Sequence, residues 1–382
     1  MHIGRSSLDV GEGEECLCVS RWISNVMERK VSHLDLRVTV NWDDSMPASI
    51  FVSKSLVTLR IEAGNGACID VEDVFLPNLK NLHLDCIAFG NGDHSLVKLI
   101  SACHVLEELV LIHVTWDGYL NRSVSSKTLK RLTLRCEDCD RNPDSVSFDT
   151  PNFVYFEYAD HVAYKYEISS FDSLVQASIA CTCKLWRSLV GNATELLKRI
   201  SNVQILYLFA NTLEVLTFCC EPIPVFKNLI HLTVKTHWDI GWESSPALLK
   251  NCPNVETLVF EGLHHKNTIK CEDVDGCLCK SSEEISSFLS SSPVKILKIL
   301  KFGEISVYSD DKEKQKQVEL VKYFLDIMPN LEQMILCYNA RIDEDLKSRV
   351  ERLVTRGSSS KCNVQLISDN ISEPIYPYSF DD

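Results

Sequence analysis

Residues Leu76-Pro77-Asn78-Leu79-Lys80-Asn81-Leu82-His83-Leu84 carry apolar side chains at 79, 82 and 84, in the pattern apolar-x-x-apolar-x-apolar. On an extended strand, positions two apart share a face, so Leu82 and Leu84 turn into one interior while Leu79 enters it from the preceding loop. A single match decides nothing. The same pattern stands at Val31-Leu34-Leu36, Leu56-Leu59-Ile61, Leu106-Leu109-Leu111, Leu129-Leu132-Leu134, Phe153-Phe156-Tyr158 and Leu174-Ala177-Ile179. It continues at Val203-Leu206-Leu208, Leu229-Leu232-Val234, Val255-Leu258-Phe260, Val294-Leu297-Ile299 and Leu331-Met334-Leu336.

By subtraction, the intervals between successive first residues are 25, 23, 27, 23, 24, 21, 29, 26, 26, 39 and 37. All but the last two fall in the 20–29 period of leucine-rich repeats. One such unit cannot bury its apolar face alone, so neighbours stack and each contributes a strand to a shared sheet. The fold class predicted is α/β: a leucine-rich-repeat solenoid, with a curved parallel sheet and helices or irregular return segments on the convex side. A second register agrees, because Leu76, Cys103, Ile200, Phe226, Cys252 and Met328 each stand three residues before a unit's first apolar residue. Cys103 and Cys252 are therefore expected to be small buried hydrophobes, as are Cys86 and Cys136, which each follow their unit's first Leu by seven.

Leu213 to Phe218 also fits the strand pattern but follows Val203 too closely for a complete unit, and is read as that unit's return segment. Five regions are expected: an entry strand or cap over 1–20, with Cys16-Leu17-Cys18-Val19 continuing a strand; the solenoid over 21–261; a Cys/Ser-rich insertion over 262–292; a closing repeat and cap over 293–368; and a flexible tail over 369–382. In the closing region a charged turn over 310–316 precedes a helix over 317–327. A charged helix over 343–354 follows, and a strand over 363–367 covers the sheet edge.

A formal net charge of −14 opposes the counterion release on which nucleic-acid affinity depends, and no Lys/Arg-rich run offsets it. No apolar run approaches the roughly 20 residues of a membrane-spanning helix. The first residues lack the apolar core of a secretory signal, which predicts a cytoplasmic or nuclear location. With no such signal, the 17 cysteines are read as reduced thiols, and Asn-x-Ser/Thr at Asn121, Asn192 and Asn370 as chance matches.

The strand residues alternating with the inward pair predict the concave surface: Thr58 and Arg60, Asn81 and His83, Glu108 and Val110, Arg131 and Thr133, Tyr155 and Glu157, and onward to Thr257 and Val259. Protein interfaces favour Tyr and Arg as anchors, because a planar amphipathic group buries area and keeps a directional hydrogen bond. Arg60, Arg131, Tyr155 and Tyr207 are thus the predicted partner-binding residues, with His83 and His231 behind them.

Metal chemistry has one weak candidate, His264 with Cys271, Cys277 and Cys279. Their Cys-x5-Cys-x-Cys spacing lacks the paired Cys-x2–4-Cys of a closed zinc site, so no metal or other cofactor is expected. A phosphate loop, a nucleophile elbow and His-Glu-x-x-His are all absent, so no catalytic residue is assigned.

The runs RWISNVMERKVSHLDLRV, VFLPNLKNLHLDC, CHVLEELVLI, FDTPNFVYFEY and LLKNCPNVETLVFEGL resemble the plant F-box/leucine-rich-repeat proteins, and SSPVKILKILKFGEI with YFLDIMPNLEQMIL resembles their FBD-type ending. The resemblance spans about residues 16–368. It implies a protein-interaction scaffold similar to the substrate-recognition part of cullin ubiquitin ligase adaptors, whose F-box docks on a Skp-type adaptor. Only 15 residues precede Cys16, too few for that helical module, so Skp binding is not expected and the partner is an unnamed target protein. A purely structural or non-functional paralogue is the alternative, with a zinc protein built on the Cys271–Cys279 stretch behind it.

Overall fold

The computed structural model describes residues 2–3, 12–38, 46–90, 93–116, 121–136, 142–182, 191–237, 242, 245–264, 289–304, 311–338, 344–356 and 362–368. The chain divides into two compact units, one of Met1–Val203 with Val215–Pro222, the other of Gln204–Glu214 with Ile223–Asp382. The division falls inside the stretch expected to form one solenoid.

In the first unit, β1 (His2–Ile3), β2 (His33–Val38), β3 (Thr58–Ile69), β4 (Asn81–Phe89), β5 (Glu108–Trp116), β7 (Arg131–Cys136), β9 (Tyr155–His161) and β11 (Gln176–Thr182) pair in that order, all parallel. The register aligns the predicted ladder across the strands: Leu34, Leu59, Leu82, Leu109, Leu132, Phe156 and Ala177 form one row, all at most 2% exposed. Leu36, Ile61, Leu84, Leu111, Leu134, Tyr158 and Ile179 form the next. Each such side chain contributes on the order of 1.5–3 kcal/mol by leaving water, and the rows repeat that contribution strand after strand.

The return segments differ from unit to unit. After β4 the chain returns as α2 (Asp93–Ser101). The next three units return as short strands, β6 (Asn121–Ser125), β8 (Ser145–Asp149) and β10 (Lys165–Ile168), which form a second parallel sheet. An aromatic cluster fills this part of the core: Phe148 packs edge-on against Phe156 at 5.1 Å and against Tyr158 at 5.8 Å. The buried ion pair between Arg122 of β6 and Asp160 of β9 links the two sheets, and the Arg122 guanidinium lies 4.9 Å from the Trp116 ring.

The expected entry strand at Cys16–Val19 is not one. Those residues belong to α1 (Glu12–Glu28). Ile23 and Val26, one helical step of three apart, are buried while Trp22 is exposed, which is a 3.6-residue period. A short apolar run does not separate strand from helix. The edge strand is the two-residue β1.

In the second unit β12 (Ile205–Leu208), β13 (His231–Lys235), β14 (Thr257–Glu261), β15 (Ile296–Leu300), β16 (Gln333–Tyr338) and β17 (Asn363–Ser368) pair in sequence order, again parallel. The segment after β12 is α4 (Ala210–Phe218), a helical return in which Leu213 and Leu216 are buried. Of the charged turn expected at 310–316, the described residues 311–316 are instead the start of α6 (Asp311–Ile327), the helix that leads into β16. Lys, Glu and Gln, which fill this stretch, are good helix formers. Helix α3 (Thr194–Arg199) lies in the first unit, and α5 (Pro246–Leu249) and α7 (Glu344–Arg356) lie in the second. The expected final strand is β17, paired to β16 at the edge of the ladder.

Two features of the repeat were not read from the sequence. Where Pro-Asn precedes a unit's first apolar residue, the Asn amide donates to a backbone carbonyl of the previous unit: Asn78 to Lys54 (2.8 Å), Asn152 to Lys127 (2.7 Å), Asn254 to Lys227 (2.8 Å) and Asn330 to Ser292 (2.9 Å). Thr128 and Ser55 do the same with hydroxyls. Moreover, the residue seven past the first apolar position takes a left-handed backbone at Cys86 (φ 56°), His113 (φ 50°), Gly262 (φ 76°) and Lys301 (φ 55°).

This handedness corrects one expectation. Cys103 and Cys252 are buried, donate to the carbonyls of Leu99 and Leu248, and have thiol pKa values that burial pushes up to about 12. Cys86 and Cys136 are only partly buried. At Cys86 the left-handed turn breaks the strand alternation that would have aimed its side chain inward.

Candidate protein-binding face

Every second strand residue between the buried rows lies on the opposite face of the sheet. In the first unit Asp35, Arg60, His83, Val110, Thr133, Glu157 and Ser178 stand side by side in register. His33, Thr58, Asn81, Glu108, Arg131, Tyr155 and Gln176 form the row before them. Arg60 and His83 therefore share one row, and Arg131 and Tyr155 another, as the alternation predicts.

Their surroundings are less open than an exposed face would be. Arg60 reaches Glu62 at 3.5 Å and Asp35 at 4.0 Å, and Arg37 meets the same two carboxylates at 3.4 and 3.8 Å. Beside this network His83 is held neutral. Burial is the main cause of its pKa falling to about 4, with Arg60 and Arg37 lowering it further and Asp85 and Asp35 opposing.

Arg131 is the more accessible cation, its side chain half exposed. Its guanidinium lies 4.2 Å from the centre of the Tyr155 ring, and its Nε is 3.3 Å from Glu108. Tyr155 is only 8% exposed; its hydroxyl donates to Glu157 Oε2 at 2.6 Å, and Arg135 Nε donates to Oε1 of the same carboxylate at 2.7 Å. Arg131, Tyr155, Glu157 and Arg135 thus form a continuous chain of contacts across β7 and β9.

In the second unit Tyr207 is 3% exposed, hydrogen-bonded to Glu261 and edge-on to Phe209 at 4.9 Å. Lys301 pairs with Glu261 at 3.2 Å. His231 is half-buried, 3.3 Å from Thr233, with a pKa lowered by burial and by Lys298. Both tyrosines predicted as anchors are consequently covered and tied to a carboxylate, whereas Arg131 stays accessible.

His264 is also partly buried. Its ring meets the Thr236 hydroxyl at 3.1 Å, and burial is the main cause of its lowered pKa. Cys271, Cys277 and Cys279 lie outside the described residues.

Sequence reading did not single out Glu62, Asp85, Arg135 and Glu261. Each stands six residues after a unit's first apolar residue, where the strand alternation simply continues. That period was the available signal; what raised these residues above their neighbours is their charge.

A parallel ladder with buried leucine rows and a polar, ion-paired opposite face defines a leucine-rich-repeat protein. Residues 19–156 match the family described as the LRR repeats of FBD-associated F-box protein At5g56370. The chain is 63% identical over 381 residues to the Arabidopsis thaliana putative F-box/FBD/LRR-repeat protein At3g59240, covering 98% of this chain and 75% of that protein. It is 56% identical over 365 residues to F-box/LRR-repeat protein At3g59250 of the same plant, covering 93% and 84%. It is 62% identical to putative F-box/LRR-repeat protein At3g49150 over 91% of this chain but 56% of that protein. The chain belongs to the F-box/LRR-repeat family.

Proposed function

We propose that the polar face of the ladder holds a target protein, as the recognition part of an F-box/LRR adaptor. Support comes chiefly from the accessible Arg131 guanidinium held flat on a Tyr155 ring that Glu157 and Arg135 fix from behind. An arginine already ordered on an aromatic surface loses little side-chain freedom on binding, and pre-ordering of this kind raises affinity. Arg60, in its ion-pair network, adds a second charged contact on the same unit. The scaffold itself performs no chemistry in this reading, and it works in the cytoplasm or nucleus. Docking on a Skp-type adaptor is not part of this proposal.

The test is affinity purification from plant cells with wild-type chain and with Arg60→Ala/Arg131→Ala. We expect a reproducible target whose recovery falls by at least about tenfold in the double variant, the loss of one anchor of about 1.4 kcal/mol or more. Unchanged recovery of every specific partner would remove this face from the proposal.

A further inference from the structure

A carboxylate, a thiol and an imidazole meet where β4 and β5 run side by side. His113 Nδ1 is 2.6 Å from Asp85 Oδ1 and 3.8 Å from Cys86 Sγ, and the three donor atoms all lie within 4.8 Å of one another. Asp85 is buried, Cys86 partly buried, and the His113 side chain 41% exposed. The grouping depends on backbone handedness. Cys86 and His113 occupy the same repeat position on adjacent strands and both adopt positive φ, so neither side chain follows the strand alternation. Cys136, at that position in the next repeat, has no such backbone, and the repeat after it has Asp160 there.

We propose that Asp85, Cys86 and His113 bind a divalent transition-metal ion of the zinc type, with water as the fourth ligand. Hydrogen bonds already join His113 to Asp85 and to Cys86, so what points to a metal is the convergence of an oxygen, a sulfur and a nitrogen ligand atom from two strands on one spot. Oxygen-seeking Mg²⁺ and Ca²⁺ do not suit a set containing sulfur and nitrogen, whereas Zn²⁺ and Co²⁺ do. Tetrahedral bonds of about 2.0–2.3 Å place nitrogen about 3.4 Å from oxygen and about 3.6 Å from sulfur. The Cys86–His113 distance already fits. The Asp85–His113 contact must open by roughly 0.8 Å, a movement available to a half-exposed imidazole. Binding releases the Sγ proton to solvent and leaves a thiolate on the metal, while the imidazole binds through Nδ1 as the neutral tautomer that carries its proton on Nε2.

Cobalt is the probe, because a thiolate bound to Co²⁺ gives a near-ultraviolet charge-transfer band. The full chain carries Cys271→Ser, Cys277→Ser and Cys279→Ser to remove the other cysteine cluster. We expect one Co²⁺ per chain, that band, and displacement by Zn²⁺. Cys86→Gly should abolish the band. His113→Gly should weaken binding by more than about 100-fold, beyond the 10–100-fold that partners outside the ligand shell contribute. Glycine accepts positive φ without strain, so both variants keep the fold, which circular dichroism checks. Cys136→Ala should change nothing. Absence of stoichiometric Co²⁺, or binding that survives Cys86→Gly or His113→Gly, overturns the assignment.

Discussion

Replacing Arg135 by Met tests whether the polar face is held from beneath. Arg135 and Glu157 side chains are 5% and 7% exposed, and Arg135 donates to Oε1 through both Nε and Nη2. Met keeps much of the length but no donor, which leaves the buried Glu157 carboxylate with the Tyr155 hydroxyl. Breaking one side of a buried pair costs about 3–5 kcal/mol, and the surviving Tyr155 bond puts the expected loss near 3 kcal/mol. Arg131→Met is the matched control. Its ion pair with Glu108 is 3.3 Å long, with side chains 50% and 39% exposed, so its removal costs at most about 1 kcal/mol. Arg135→Met/Glu157→Leu should recover part of the single variant's loss, since no charge is then stranded, although Tyr155 loses its acceptor. Repeat arrays can lose cooperativity, so local stability is best read by native-state hydrogen exchange at the amides of β7 and β9. Equal effects of Arg135→Met and Arg131→Met would refute the reasoning, because a stranded buried charge must cost more than a solvated one.

Two further outcomes follow. His83 is held near pKa 4, below its ordinary 6.5, so the unfolded chain takes up a proton first as pH falls. Its contribution to stability is complete above about pH 6.5 and is lost progressively towards pH 4. Between about pH 7 and pH 5 the loss is at most about 2 kcal/mol; His83→Gln should flatten the urea-midpoint profile by that amount, and parallel profiles would disprove it. Gly262→Ala should destabilise the second unit by roughly 1–3 kcal/mol, because φ is +76° and the new Cβ would lie 2.6 Å from the His264 ring. An unchanged melt of that unit would show that the loop adjusts without strain.

The buried rows, the parallel strand order and the place of a return segment after β12 could be read from the sequence, because a period of two inside a repeat of 20–29 admits one way of stacking; that this return is a helix came from the structure. Alternation likewise placed Arg60, His83, Arg131 and Tyr155 on the face away from the core. Alternation could not say how covered they would be. Tyr155 is buried because Arg131, one strand away in space and 24 residues away in sequence, lies on its ring, and Glu157 and Arg135 close its other end. The helix at Cys16–Val19 was illegible for a different reason: consecutive apolar residues carry no period until Ile23 and Val26 find a core.

From the chain alone came which residues face inward and which way the strands run, since both follow from local spacing repeated along the sequence. Tertiary structure decided which surface groups touch. The Arg131–Tyr155 stack and the Asp85–Cys86–His113 cluster join residues from different repeats, through strand register and two left-handed residues. Side-chain pattern encodes a face, whereas contact between neighbouring strands depends on backbone geometry that no single repeat specifies.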